Sequence, residues 1–514
     1  MIETLRSLAL AAGHADIVAP TKRMDVSAYQ GAAITRRTRS WSPGNAGPNL
    51  LLAENGEQLR RRARATVRNN AWAANGIESW CGNCVGTGIV PQPQHPNLTT
   101  RDQIRSDFER WTDESDAAGI SDLYGQQYLI AREVFEAGEC LVRLRPRLPK
   151  DGLTVMLQLQ ILECEHLPFN LNSTLENGNI IRNGIEFNGI GKRVAYHLYR
   201  SHPGELAEGM NSGEISRVPA EFVLHIYNPI RAGQHRGQTM LTQVMVRLEE
   251  LDKYEDAELL RKQMAAMITH IIKQVNPEDP INMGQADTPD DDGTPIEQIQ
   301  PGSTVKLLPG EEIEVSKFAD VGAMFVEFIK QNLYAIAAGM GITYEMLTGD
   351  LKGVSYSSIR AGLLEFRRRC ERFQHQVMVF QFLRPMWKAY MDAAALSGTI
   401  NAREYATHPE WYLNVIWQPP KWPWVDPLKD CEAEALAVRN NFRSQTDVIN
   451  SLGEDPERVR RQIAADNAAN DALGLTPDSD ARKSLKAPSD SAAVGNAKAT
   501  APPKFPSDQA AAIH

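Results

Sequence analysis

The chain is 514 residues long, 42% hydrophobic and 23% charged, with a formal charge of −9. That length suits two or three domains with a substantial core, and no run of about 18 apolar residues is present to span a membrane. Net acidity argues against a sequence-specific DNA reader, which gains affinity by displacing counterions with Lys and Arg, but it suits a wall past which DNA slides, since like charge disfavours sticking.

The N-terminal "MIETLRSLALAAGHADIVAP" is broken by Arg6, His14 and Asp16. A secretory signal needs a cleaner apolar block of about 7–15 residues, so the chain reads as cytosolic. The cysteines, at 81, 84, 140, 164, 370 and 431, are spread too widely for a disulfide framework and read as reduced thiols. Residues 1–40 read as a flexible arm. From residue 476 onward, Ala, Pro, Ser and Asp dominate and large apolar residues are few, which predicts a disordered tail.

Between these ends, Glu57–Ala74 reads as a basic helix with Arg60, Arg61, Arg62, Arg64 and Arg68 around Leu59, Ala63 and Val67. Arg101–Asp113 and Leu123–Ala137 are further helices. From Glu139 to about Ile226, the runs "CLVRLRP", "VMLQLQIL", "RVAYHLYR" and "EFVLHIY" alternate like strands and are separated by Gly, Asn and Pro clusters. A helix over Thr239–Met267 places Leu241, Val244, Leu248 and Leu251 on one face and would be roughly 40 Å long. An insert over 276–316 follows. Its first part, "NPEDPINMGQADTPDDDGTP", is acidic and turn-rich; its second, "STVKLLPGEEIEVS", reads as two strands about a Pro-Gly turn. A helix over Phe318–Ala338 carries Val321, Phe325, Phe328 and Leu333, so the two long helices form a hairpin with the insert at its tip.

After the loop "GMGITYEMLTGDLKGVSYSS", a helix capped by Ser357 or Ser358 carries Ile359, Leu363, Phe366, Cys370, Phe373, Val377 and Phe380 in an unbroken heptad seam. Arg360, Arg367, Arg368, Arg369 and Arg372 lie mostly off the seam, and Pro385 should end or kink the helix. "WYLNVIWQPPKWPWVDPLKD" is too rich in proline for a helix. Pro427–Asn441, Gln445–Leu452 and Asp455 to about Ala472 are helical, with Thr446 and Asp455 as caps for the last two.

The segments "RRTRSW", "RRRARATVRNNAWAANGIES", "NCVGTGIVPQP", "NGIEFNGIGKRVAYHLYRSHPG", "RVPAEFVLHIYNPIRAGQHRGQTMLTQVMVRLEELDKYEDAEL", "YSSIRAGLLEFRRRCERFQHQ" and "PKWPWVDPLKDCEAEA", in this order, resemble the lambda-type portal family of tailed bacteriophages. The resemblance covers roughly Trp41 to Asn467. It implies a mainly helical α+β portal fold assembled as a ring, usually of twelve subunits, around a central channel. Residues 41–238 would be the wing, 239–275 and 317–340 the stem helices, and 276–316 the clip. Residues 341–357 would be a tunnel loop, 358–425 the long wing helix with the segment after it, and 426–475 the crown. The implied function is a conduit at one capsid vertex for packaging and ejection of double-stranded DNA. The implied partners are the large terminase subunit, head-completion and tail connector proteins, and the major capsid or scaffold protein. The implied location is the virion, after assembly in the host cytoplasm.

The candidate site residues follow from chemistry and from position in this order. Asp287, Asp290, Asp291 and Asp292 in the clip, beside Glu278 and Asp279, would pair with a basic face of the packaging motor. Lys352, Ser355 and Tyr356 in the tunnel loop could touch phosphate or sugar without reading bases. "WCGNC" at Trp80–Cys84 resembles a thioredoxin motif but lacks the strand before it and the surrounding βαβ unit. A thiol oxidoreductase built on Cys81 and Cys84 is therefore a weaker alternative, beside a helical scaffold or adaptor without a channel. Cys164 with His166 is the other metal candidate, and a second close pair is missing. No phosphate-binding Gly-Lys-Ser/Thr loop or catalytic triad stands out, so no enzyme activity, cofactor or metal is expected.

Overall fold

The computed structural model describes residues 36–37, 39–41, 43–205, 213–267, 271–274, 311–314, 323–353, 355–422, 427–475 and 477. The expected disordered tail and most of the expected arm lie outside them, as does Val321. None of the described helices is long and apolar enough to cross a membrane.

The basic helix expected over Glu57–Ala74 is instead two helices, α1 (Pro48–Asn69) and α2 (Ala71–Cys84). Asn70 leaves the helical region at φ −111° and its side chain accepts from the Ala73 amide, so it ends α1 and caps α2. Helix α1 begins upstream of expectation because it runs through Gly56. An interior Gly costs about 1 kcal/mol relative to Ala, but a Cβ there would lie 2.6 Å from the Phe169 ring, which fills that space. Helices α3 (Leu98–Glu114) and α4 (Leu123–Glu136) follow, capped by Asn97 and Asp122.

The β-rich stretch forms two sheets. In the first, β2 (Glu139–Pro146) lies between β3 (Leu157–Glu163) and β9 (Val223–Tyr227), both antiparallel to it. In the second, β4 (Ser173–Thr174), β5 (Ile180–Arg182), β6 (Ile185–Phe187), β7 (Arg193–Tyr199) and β8 (Ile215–Pro219) pair in sequence order. Alternation along β2 separates two cores. Cys140, Val142 and Leu144 face the large helical core, and Leu141 joins Ile185, Tyr196, Leu198 and Val218 between the sheets. One pairing had no signal in the sequence: β1 (Val90–Pro93) lies antiparallel to β12 (Val415–Gln418), more than 300 residues away.

A buried carboxylate joins these parts. Glu139 has no solvent exposure, and it accepts from Arg60 on α1 (2.9 Å), Arg236 (2.5 and 2.8 Å), the Gly237 amide (2.7 Å) and His225 on β9 (2.9 Å). The Phe169 ring lies under both guanidiniums, 3.9 Å from that of Arg236 and 4.8 Å from that of Arg60. Close backbone approach makes this possible, since any Cβ on Gly237 would lie 2.0 Å from the Gly138 carbonyl oxygen. Burial alone would raise the Glu139 pKa, but Arg236, His225 and Arg60 hold it well below the usual carboxylate range. Arg64, one turn on, joins Glu133 (2.9 Å) and Glu165 (2.7 Å). The two arginines that turn inward from the basic helix are therefore structural.

The heptad helix starts earlier than expected and runs further. Helix α8 (Tyr356–Phe373) is capped by Ser355 rather than Ser357 or Ser358. The chain then widens into a π-helical stretch, Gln374–Leu383, and continues as α9 (Arg384–Ser397), so Pro385 does not end the helix. The π-helical stretch, whose hydrogen bonds run i→i+5, carries the chain into the first turn of α9, where Pro385 stands. It also rotates the seam. Phe366, Cys370, Phe373 and Val377 are buried as expected, but Phe380 is 64% exposed and Phe382 and Leu383 take the inward positions.

The C-terminal segment adds α10 (Ala402–Thr407), α11 (Pro409–Leu413), α12 (Pro427–Arg439), α13 (Gln445–Ser451) and α14 (Pro456–Leu473). The proline-rich region therefore contains a short helix, α11, beside β12. Ser444 caps α13 in place of Thr446, while Asp455 caps α14 as expected. Arg101 and Arg105 on α3 pair with Glu457 and Asp455, and Arg461 reaches Asp102 at 2.8 Å, so α14 is tied to α3 by charge.

Replacing Glu139 with Ala leaves two buried guanidiniums without their shared counter-charge. Breaking a buried pair in this way costs about 3–5 kcal/mol. A large drop in the urea midpoint is expected for Glu139→Ala, against less than about 1 kcal/mol for Arg61→Ala, whose pair with Glu57 is solvent-exposed.

His225 is held near pKa 4 by burial, from an ordinary value of 6.5. Between those values the unfolded chain takes up a proton that the folded one refuses, so stability falls as pH drops from 6.5 towards 4. Urea midpoints measured across that window should fall with pH in the wild type and flatten in His225→Asn.

Candidate functional site

Helices α5 (Met245–Met267) and α6 (Ala323–Met340) form the antiparallel hairpin read from the sequence. A 3-10 turn over Met240–Gln243 precedes α5. Leu241, Val244, Leu248 and Leu251 are all buried, as their spacing predicted. Arg247 donates to Asn332 (2.9 Å), Tyr254 stacks on Phe325 at 5.9 Å, and the Lys262 amine lies 5.3 Å from the same ring. A Cβ on Gly339 would lie 2.3 Å from Val244, so the helices approach closely at the hairpin's base. The face expected on α6 is only partly inward. Leu333 is buried, Phe325 half-buried and Phe328 50% exposed, although its ring still touches Tyr254 at 4.9 Å.

The hairpin is extended by an antiparallel ladder, β10 (Ile271–Gln274) on β11 (Glu311–Glu314), with Ile271 opposite Glu314 and Gln274 opposite Glu311. The sequence reading had joined the second of these strands to the run just before Pro309. That run lies outside the described residues; among the described ones the strand's partner is the chain leaving α5, so the two strands form the root of the insert. Asp287, Asp290, Asp291 and Asp292, like Glu278 and Asp279, lie outside the described residues.

The loop from Gly341 is more structured than expected. Gly341 turns the chain at φ +74°, and α7 (Tyr344–Thr348) follows at once. Asn75 on α2 donates to the carbonyls of Met346 (3.0 Å) and Leu347 (2.7 Å), and Trp80 donates to Met340 (2.9 Å). Leu347 is buried, and Tyr344 lies against Tyr334 with centroids 4.4 Å apart. Beyond α7, Gly349 and Gly353 are both left-handed, at φ +70° and +74°. Only glycine holds such angles without steric cost. Between them lie Asp350, Leu351 (65% exposed) and the exposed Lys352, whose amide donates to the Asp350 carboxylate at 3.0 Å. The exposed part is thus a short tip on an anchored base.

The three candidate residues of this loop fall in different settings. Lys352 is on the tip. Ser355 is the cap of α8, sharing a hydroxyl contact of 2.8 Å with Ser358. The backbone of Tyr356 begins α8 and does not belong to the loop.

The arginines of α8 are largely engaged within the chain. Arg360 pairs with Asp430 (3.1 Å), Arg367 lies 5.1 Å above the Trp422 ring, and Arg369 sits beside Gly341 at the end of α6. Arg368, Arg369 and Arg372 line a cleft of 510 Å³ between α8, Trp80 and the base of the hairpin.

The "WCGNC" motif lies at the C-terminal end of α2, opposite to the helix N-terminus that lowers a thiol pKa. Cys81 and Cys84 are both fully buried. Burial, then Glu78, pushes the Cys81 thiol up to about 12, and burial with the neighbouring Cys370 raises Cys84 well above its ordinary value. Burial and position at the helix C-terminus both favour the protonated thiols, which removes the support for the oxidoreductase alternative.

Cys164 and His166 do not form a metal pair. The Cys164 thiol is buried and held protonated, and the His166 ring bonds the Tyr199 carbonyl at 2.9 Å. The structure instead gathers Glu163, Glu165 and His202, whose donor atoms lie within 4.8 Å of one another. No spacing in the sequence announces that trio. Arg64 already supplies its positive charge, at 2.7 Å from Glu165 and 3.7 Å from Glu163, and holds Glu165 down at about 2 against the cost of burial. Of the six thiols, five are buried and Cys431 is exposed. Ellman's reagent is therefore expected to titrate Cys431 rapidly in the native protein and the others only after denaturation.

Among curated proteins, the chain is 29% identical over 464 residues to a probable portal protein of Halomonas phage phiHAP-1, covering 87% of each. It is 21% identical over 506 residues to portal protein B of Escherichia phage lambda, covering 87% of this chain and 90% of that one. Among solved structures it is similar to the neck of a native gene transfer agent particle, with 14% identity and a TM-score of 0.43 over 78% of this chain and 94% of the other. The family model described as "Phage portal protein, lambda family" matches residues 35–374. The chain therefore belongs to the lambda family of phage portal proteins.

Proposed function

We propose that this portal protein forms a ring at one vertex of the phage capsid, with the α5–α6 hairpin as its stem. The insert rooted on β10 and β11 would be the clip, the Gly349–Gly353 tip the part nearest the channel axis, and α12–α14 the crown. Double-stranded DNA would pass through the ring during packaging and ejection without being read. Twelve copies are expected, with the large terminase subunit and later the head-completion and tail connector proteins on the clip, and the capsid or scaffold protein around the wing. Assembly would take place in the host cytoplasm.

The observation that carries this reading, given the family, is the uncovered apolar surface of the hairpin. Val246, Leu259 and Leu260 on α5 and Val326, Phe328 and Tyr334 on α6 are all exposed by half or more in the single chain. Exposed apolar surface rimmed by charge marks an interaction site. A rotationally repeated head-to-tail contact closes into a ring, which would cover these side chains with neighbouring copies. Electron micrographs of the purified chain should show rings with a central hole; solid particles or monomers would favour a scaffold without a channel.

The acidic clip and the loop tip support separate expectations. Changing Asp287, Asp290, Asp291 and Asp292 together to Asn should weaken motor binding and flatten its dependence on salt, because charge pairing at an interface acts mainly through steering and is screened. For the tip, Lys352→Ala should reduce the DNA retained per particle while leaving ring assembly intact. Fully packaged particles would reduce the loop to a connector.

A further inference from the structure

We propose that the groove between the two β-sheets is a docking site for an extended acidic segment of a partner protein, one in which carboxylates alternate with aliphatic side chains. The groove has a volume of 340 Å³ and opens where the inter-sheet core ends. Leu162, Leu198 and Val218 line its apolar part, and Arg143, Arg145 and Arg200 line its charged part. Among the described residues, Arg200 has a counter-ion in Glu214 at 3.0 Å, while no acid lies within ion-pair distance of Arg143, Arg145 or Arg147.

Arg143 and Arg145 occupy alternate positions of β2 and so project from one face of the sheet, about 6.7 Å apart per two-residue step, and Arg147 follows in the same alternation one residue past the end of the strand. Two of them are held in place by neutral partners. Arg145 donates to the Gln160 amide oxygen at 2.5 and 2.8 Å, and Arg147 donates to that of Gln158 at 2.8 Å. Burial, then Arg143 and Arg147, lowers the pKa of Arg145. A partly desolvated row of like charges disfavours the folded state unless something outside the chain neutralises it.

The shape of the groove indicates the occupant. An extended peptide repeats its same-side residues at the same two-residue step as β2, so its carboxylates can meet successive guanidiniums in charge-assisted hydrogen bonds. Its aliphatic residues can meet Leu162 and Val218. A duplex presents phosphates but no aliphatic groups to such a floor, and it is too wide to enter a groove of this volume.

The test uses the full-length chain and a fluorescein-labelled peptide alternating Glu with Val, read by fluorescence anisotropy. Saturable binding that weakens with salt is expected. It should fall about tenfold or more in Arg143→Gln/Arg145→Gln and for a peptide alternating Gln with Val. The thermal midpoint of that double variant should be unchanged or higher, because removing the repulsion relieves the fold; a purely structural pair would lower it. Undiminished binding in the variant, equal affinity for the Gln peptide, or no saturable binding each overturns the proposal. Competition by a mixed-sequence DNA duplex as strong as that by unlabelled peptide would overturn it in favour of a phosphate-binding surface.

Discussion

The carboxylate of Glu139 is the constraint on which the arrangement of helices, sheets and hairpin depends. It sits at the start of β2, directly after α4, and collects Arg60 from α1, His225 from β9, and Arg236 with the Gly237 amide from the segment that leads into α5. A bare carboxylate would be excluded from such an interior by the cost of desolvation. With donors arriving from separate directions, that cost is met only in one arrangement of the segments that carry them. The exit of the hairpin from the sheets is thereby fixed by charge, while the apolar cores on either side of β2 could tolerate small rotations. Replacing such a cluster with apolar residues is often neutral for stability. What this one supplies is direction.

The same cluster explains the limits of reading the chain from its sequence. Periodicity exposed β2, β3, β7 and β9, the buried face of α5 and the hairpin itself, because each pattern is local and set by burial on one side. It also singled out Asp455 as a cap. Nothing local distinguishes Arg60 and Arg64 from Arg61 and Arg62. All four read as one basic face, and only partners more than 60 residues away divide them into interior and surface. Gly56 misled in the opposite direction, since its value lies in a contact with Phe169 across the fold. The pairing of β1 with β12 was equally hidden, since "VIWQ" does not alternate strongly enough to announce a strand and its partner lies more than 300 residues away.

For the candidate site, the hairpin and the loop were legible as positions in a chain order, while the chemistry within them was less so. The loop was read as one flexible unit from Gly341 to Ser357. Its base is set instead by contacts that a local window cannot see: Asn75 and Trp80 hold the backbone around α7, leaving the three residues between two left-handed glycines as the tip. The arginines after the loop read as a basic face lying mostly off the heptad seam. Asp430, Trp422 and the end of α6 account for most of them, which leaves Lys352 as the exposed cation of the tip.

The two places where an apolar pattern failed point in a common direction. Phe380 was placed inward by a perfect heptad and is turned outward by the π-helical stretch; Phe328 was placed on the buried face of α6 and is half exposed. A heptad reports that a side chain is buried by something, and it is silent on whether that something belongs to the same chain. A lone subunit that leaves Phe328, Val326, Leu259 and Leu260 in water carries a solvation cost of about 25 cal/mol per Å² of apolar surface. In the proposed ring, neighbouring copies would remove that cost. The sequence pattern on the hairpin would then be right about burial and wrong only about which chain provides it.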